Sequence, residues 1–227
     1  LAPSSEVPNP VNLRFGEAIR LVGYDVTPRQ VTPRGAVAVT LYWQADGTPA
    51  ADYSVFIHAT DTAGILQAQH DSHPGRGNYP TSEWQPGAIV VDRHLLTIPP
   101  GVPAPATLRI EAGLYDARSG ERLAAGSIDR VALADIAVAP APGDLPNAGA
   151  IDFDGKLILA GYDVDRRRVA PGEPVTLTMW WDAAAPMARD YVAFAHLLLP
   201  PDAVWAQDDR LLERNGARTS AWRVGDR

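Results

Sequence analysis

The chain repeats itself. From Phe15 to Trp84, and again from Phe153 to Trp222, it runs in step at a constant offset of 138 residues with no insertion on either side. Gly23-Tyr24-Asp25-Val26 returns as Gly161-Tyr162-Asp163-Val164, and Asp52, Tyr53, Phe56 and His58 return as Asp190, Tyr191, Phe194 and His196. About a third of the seventy paired positions are identical. A period of this length far exceeds the ~20–50 residues of a solenoid unit, so each copy is large enough to own a core, and two similar domains follow. Duplication of a whole module argues for scaffolding or binding sooner than for one active site.

Each copy reads as all-β. In the first, alternating or continuous β-branched and aromatic stretches fall at Ala18–Val26, Ala36–Ala45, Tyr53–Thr60, Ile65–His70, Ala88–Ile98, Ala106–Tyr115 and Asp129–Val138. Val37, Val39, Leu41 and Trp43 occupy every second position, which puts them on one face of a pleated strand and predicts a buried Trp43. Thr32-Pro33-Arg34-Gly35, Ala45-Asp46-Gly47, Pro99-Pro100-Gly101 and Asp116 to Gly120 carry turn chemistry between them. The last of these predicts a hairpin in which Arg122 and Leu123 begin the return and Tyr115 packs. No helical periodicity of ten residues or more is present. Seven short strands with turns match antiparallel β-sandwiches of immunoglobulin or fibronectin type, in tandem, with a barrel as the second choice.

The expected layout is a linker at residues 1–14, a first sandwich at 15–139, a proline-rich linker at 140–150 and a second sandwich at 151–227. Three prolines between Pro140 and Pro146 should stiffen the connection. The second copy repeats only the first four strands, as Lys156–Val164, Pro174–Ala183, Tyr191–Leu199 and Ala203–Asp209, the third of them stopped by Pro200 and Pro201. It is therefore expected to be incomplete, exposing an apolar face that includes Met179 and Trp181, and to be closed by a missing segment, a partner, or dimerisation through its open edge.

Bulk properties exclude several functions. A net charge of −7, with no basic cluster beyond Arg166 to Arg168 in what reads as a solvated turn, argues against nucleic acid and anionic membrane surfaces. Zero cysteines remove disulfide frameworks and thiolate metal sites, leaving the redox compartment open. No run of 18 apolar residues is present, so no segment is expected to insert in a bilayer. The opening Leu1 to Pro10 lacks a basic start and an apolar centre and reads as linker.

The densest polar constellation is His70-Asp71-Ser72-His73, followed by Arg76, Asn78, Tyr79, Glu83 and Trp84, on the connection between the fourth and fifth strands. Two histidines with carboxylates are the ordinary partners of zinc, but in the second copy His70 and His73 become Asp208 and Leu211, so no metal and no cofactor is expected. A sugar site needs an aromatic face with amides and carboxylates around it, which Trp84, Tyr79, Asn78, Arg76, Asp71 and His73 would supply. The competing reading makes Trp84 and Trp222 lids on the sandwich ends, held by Thr81-Ser82 and Thr219-Ser220. Retention of these residues in both copies, while the loop before them diverges, favours the lids. His58 and His196 share a strand face with Phe56 and Phe194 and read as hydrogen-bonded core histidines. Asp71 and Asp209, at a strand end, are expected to accept backbone N–H groups. Asp92 and His94 share a face, with no third partner nameable. Neither Gly-x-Ser-x-Gly, His-Glu-x-x-His nor a phosphate loop is present, so no catalytic residue is assigned.

Gly23-Tyr24-Asp25-Val26, Val31-Thr32-Pro33, Asp52 to His58, Tyr79 to Gly87 and Gly113-Leu114-Tyr115-Asp116 together resemble a module of Chloroflexi-type bacteria. It is similar to the C-terminal region that follows the membrane helices of family 39-like, mannosyltransferase-type glycosyltransferases. The likeness spans nearly all of the first copy and the available part of the second, and it carries no catalytic residue across, since those belong to the membrane portion. It implies a noncatalytic, extracytoplasmic accessory domain, tethered to the membrane in its parent protein, with a glycan or a lipid-linked sugar as the partner to test. The alternatives are a structural spacer or protein-interaction module, and a glycoside-active enzyme, for which no cleft with paired carboxylates can be named.

Overall fold

The computed structural model describes residues 7–199 and 203–227. It is all-β, and the chain divides into two compact units, up to Gly143 and from Asp144 onward.

In the first unit the strands are β1 (Pro10–Phe15), β2 (Ile19–Thr27), β3 (Gln30–Val31), β4 (Ala36–Ala45), β5 (Tyr53–Thr60), β6 (Leu66–Ser72), β7 (Ile89–Thr97), β8 (Ala106–Asp116) and β9 (Val131–Val138). They form a four-stranded sheet in the order β1-β2-β4-β7 and a five-stranded sheet in the order β3-β9-β8-β5-β6. Every pairing is antiparallel except β3 with β9. The two sheets enclose one core. Strict alternation along β4 buries Val37, Val39, Leu41, Trp43 and Ala45 and turns the intervening residues outward. Across from them, β5 contributes Val55, Ile57 and Ala59, and β8 contributes Leu108, Ile110, Ala112 and Leu114. Each large aliphatic or aromatic side chain so buried stabilises the fold by about 1.5–3 kcal/mol relative to exposure. Phe15 meets Trp43 edge-on at 5.8 Å, closing the core at the β1 end. The expected hairpin is present: Asp116 N–H donates to Glu121 O at 2.9 Å, and Leu123 N–H to Leu114 O at 2.8 Å.

The second unit contains β10 (Ile151–Phe153), β11 (Leu157–Val164), β12 (Leu177–Ala183), β13 (Val192–Leu199), β14 (Ala203–Leu211), β15 (Glu213–Arg214) and β16 (Ala217–Arg218). They form a β10-β11-β12 sheet, a β13-β14 pair and a β15-β16 pair. The buried cluster is small: Leu157, Ala183, Met187 and Trp222. Phe153 meets Trp181 at 5.3 Å, as Phe15 meets Trp43. The register of β2 against β4 shifts between Leu21 and Gly23, and that of β11 against β12 shifts between Leu159 and Gly161.

Three expectations are corrected. Residues 10–14, read as linker, form β1 together with Phe15, because Val11, Leu13 and Phe15 alternate onto the core behind two prolines. Pro146, read as the end of a spacer, accepts the Tyr162 N–H at 3.0 Å, and Asn147 Nδ2 donates to Tyr162 O at 2.9 Å. The same bonds join Tyr24 to Pro8 and Asn9, so in both places a Pro-Asn strap lies along the strand that carries Gly-Tyr-Asp-Val. Met179 and Trp181 are half-buried, since Phe153 packs on Trp181; the two most exposed apolar side chains, Phe194 and Trp205, lie on β13 and β14. The stop expected at Pro200 and Pro201 lies outside the described residues.

Candidate functional site

The polar constellation singled out in the sequence sits where β6 and β7, edge strands of opposite sheets, come together. Period-two alternation along β6 splits it. Ser72 and His70 pair with Val55 and Ile57, whereas Asp71 pairs with Phe56. Val55 and Ile57 belong to the core cluster and Phe56 does not, so Asp71 lies on the outer face and Ser72 on the inner one.

On the inner side a hydrogen-bonded chain spans the two sheets. His94 Nε2–H donates to Asp92 Oδ2 at 2.7 Å, with both side chains wholly removed from solvent. Ser72 Oγ lies 3.4 Å from His94 Nδ1, and the His70 ring meets that of His94 edge-on at 5.5 Å. The other carboxylate oxygen of Asp92 accepts the Gly75 N–H at 2.9 Å. Ser72 is thus the third partner of the Asp92–His94 pair. It lies twenty residues away in sequence on a strand of the other sheet, and periodicity within one strand carries no signal for such a contact. Serine, histidine and aspartate in this order have the composition of a nucleophilic triad. Here the carboxylate is committed to the backbone of the following loop, the imidazole is sealed, and the serine contact is long. The arrangement pins the β6–β7 connection to the sandwich edge.

The six proposed ligand-binding residues separate. Trp84 is 2% exposed and its indole N–H donates to Tyr79 O at 3.3 Å, so it offers no face to a sugar ring. That expectation is corrected in favour of the lid. Tyr79 is half-buried, its ring 6.4 Å from that of Trp84. His73 is half-buried too, with Nδ1 3.4 Å from both Ser54 Oγ and Tyr53 O. Arg76 and Asn78 are exposed on the loop, where Arg76 adopts φ 59°, and Asp71 is exposed on the outer sheet face. No hydrogen bond from Asp71 occurs among the described residues; the carboxylate that takes a backbone N–H of this loop is Asp92.

The lid is built by residues that recur 138 positions on. Thr81 Oγ1 accepts the Tyr53 N–H at 3.1 Å and donates to Ala51 O at 2.8 Å; Thr219 Oγ1 accepts the Tyr191 N–H at 2.8 Å and donates to Arg189 O at 3.3 Å. Asp52 Oδ1 accepts the Ser82 N–H at 3.0 Å, and Asp190 Oδ1 that of Ser220 at 3.1 Å. Hydrogen bonds from Ser82 and Ser220 hold both carboxyl groups below their ordinary pKa. Trp222, 7% exposed, donates its indole N–H to Ala217 O at 3.0 Å. Each tryptophan ends a single 3₁₀ turn, Thr81–Glu83 or Thr219–Ala221.

The outer face of the five-stranded sheet corrects one further reading. His58 is half-buried beside Phe56, with ring centroids 4.6 Å apart, and desolvation pushes its pKa down. It is a surface-sheet histidine and not a core one, because its neighbours Ile57 and Ala59 point inward. Arg122 lies 4.5 Å over the Phe56 ring. A polar cleft lined by Glu111, Ser127, Asp129 and Arg130 opens in the same unit, its charges paired through Arg130–Glu111 at 3.3 Å and Arg122–Asp129 at 2.9 Å.

Among the described residues no group of three or more His, Asp or Glu side chains is placed to hold a metal ion, and no helix is long and apolar enough to cross a membrane. The fold and site define a mainly antiparallel β protein in which Asp52 and Asp190, Thr81 and Thr219, and Trp84 and Trp222 are engaged by the protein's own backbone. No protein-family model matches the chain, and no curated protein does.

Proposed function

We propose that this chain is a pair of copies of one noncatalytic β-sandwich module, an accessory and structural part of a bacterial envelope protein. The observation that carries the reading is the fate of the side chains common to both halves. Asp52 and Asp190, Thr81 and Thr219, Ser82 and Ser220, Trp84 and Trp222 are engaged in matching backbone bonds. A module in which these four pairs of residues serve the backbone duplicates a scaffold sooner than a reaction. The immunoglobulin-type assignment is part of the proposal, supported by the two-sheet strand order and by the parallel pairing of β3 with β9. The extracytoplasmic, membrane-tethered setting in a glycosyltransferase-like parent rests on the sequence resemblance alone, and fold adds nothing to it.

A second reading, binding of a glycan or lipid-linked sugar, retains support from Arg76, Asn78 and Asp71, each of which is exposed, Asp71 on the outer face of β6 and the other two on the loop that follows it. A glycan array probed with the chain and with an Arg76→Ala/Asn78→Ala variant separates the two. The scaffold reading expects no ligand from either; a ligand bound by the wild type and lost by the variant would replace it.

A further inference from the structure

We propose that the free edge of β13 accepts an antiparallel β-strand from outside residues 1–227, one that carries a glycine opposite Phe194 and an acidic residue opposite His196. The inference rests on reading the two units as copies of one module. In the first, β5 is flanked on both edges, by β6 and by β8. Its counterpart β13 pairs, among the described residues, with β14 alone, leaving a row of backbone N–H and C=O groups open. The side chains register the difference: Phe56 is 1% exposed and Phe194 is 68% exposed.

The first unit specifies what fits. Phe56 faces Gly113 of β8, and a Cβ at Gly113 would stand 2.4 Å from Phe56 Cζ and 2.7 Å from Asp129 O, so the ring lies where only glycine leaves room. His58 faces Glu111, and Val55 faces Leu114. Transferred to β13, the partner strand reads acidic, small, glycine, aliphatic, with the glycine on Phe194, the acid on His196 and the aliphatic side chain on Ala193. A cavity of about 490 Å³ waits at that last position, lined by Phe153, Leu157, Trp181, Tyr191 and Ala193. Leu114 makes the corresponding contribution to the filled core of the first unit. A second copy of the chain is a poorer occupant. β13 contains no glycine, so pairing with itself would set a Cβ against Phe194, and the β8 of a second copy is already paired on both sides. Strand addition obtains its affinity from main-chain bonds and its specificity from such alternate side-chain sites.

The test uses the intact chain and a synthetic peptide with the sequence of Thr107–Asp116. Amide hydrogen exchange across Val192–Leu199 is expected to slow on peptide addition, and a peptide with Gly113→Val to bind about tenfold more weakly. A Phe194→Ala chain should accept both peptides equally, which separates a steric register from nonspecific sticking. Absence of protection on β13, equal binding of the two peptides by the unaltered chain, or concentration-dependent dimerisation that protects β13 without peptide would each overturn the proposal. The Tyr53 and Tyr191 amides, read in the same experiment, keep the two readings apart. Protection of both with no peptide effect defeats strand acceptance and leaves the duplicated module standing; an unprotected Tyr191 defeats the module.

Discussion

Thr81 accepts the Tyr53 N–H through its hydroxyl from a side chain with no solvent exposure, tying the turn under Trp84 to the first residue of β5. The same hydroxyl donates to Ala51 O, so one small side chain satisfies a donor and an acceptor that the sheet ladder does not reach. Replacement by valine keeps the volume and strands both groups. Thr81→Val is expected to cost about 1–3 kcal/mol in urea denaturation, with Thr81→Ser close to wild type.

Gly23 and Gly161 are where the Pro-Asn straps cross closest to β2 and β11. A Cβ at Gly23 would stand 2.1 Å from Val7 Cγ1 and 2.7 Å from Pro8 O, and one at Gly161 would stand 2.8 Å from both Leu145 Cβ and Pro146 O. Alanine at either position should displace its strap at a cost of about 1–3 kcal/mol. Faster exchange of the Tyr24 or Tyr162 amide, each of which donates to the displaced strap, would register the change in the matching half only.

Asp92→Ala removes the acceptor of two buried donors, His94 Nε2–H and Gly75 N–H. A loss of about 3 kcal/mol in thermal or urea unfolding is expected. Proteolysis should then begin in the loop between Ser72 and Tyr79, which Asp92 holds. Ser72→Ala, removing only a long contact, should be mild by the same measurements. Strong destabilisation by Ser72→Ala with little effect of Asp92→Ala would refute this ordering.

His58 supplies a pH dependence in the histidine range. Desolvation lowers its pKa in the folded state, so between the folded value and the ordinary one the unfolded chain binds more protons. Stability contributed by the neutral ring is complete at neutral pH and is lost as pH falls below about 6.5 toward the lowered value. His58→Gln should flatten the stability profile in that window, and the imidazole of His58 should titrate below that of a free histidine by NMR. A His58 that titrates above it would reverse the sign.

How much of this was legible in the sequence follows from which signals are local. The seven main strands of the first unit are written in alternating or continuous β-branched and aromatic stretches, with alternation clearest in β4, where Val37, Val39, Leu41 and Trp43 face one way. Trp84 and Trp222 as lids could be read because Thr-Ser precedes both. β1 was hidden by its company: Pro8 and Pro10 look like spacer, although Val11, Leu13 and Phe15 alternate behind them. β3 is two residues long, and only its pairing to β9, about a hundred residues on, makes it a strand. The Ser72–His94–Asp92 chain joins strands of opposite sheets, and Gly113 is explained only by the ring of Phe56 that lies against it. Such contacts are made by tertiary packing and leave no pattern along the chain.

The decisive measurement is site-resolved amide exchange at Tyr53 and Tyr191 in the intact chain and in the variants Thr81→Val and Thr219→Val. Both amides should be protected in the unaltered protein. Thr81→Val should release Tyr53 and spare Tyr191, and Thr219→Val should do the reverse. A Tyr191 amide that exchanges like a free peptide in the unaltered chain, or one indifferent to Thr219→Val, would contradict two copies of one module held by the same clip.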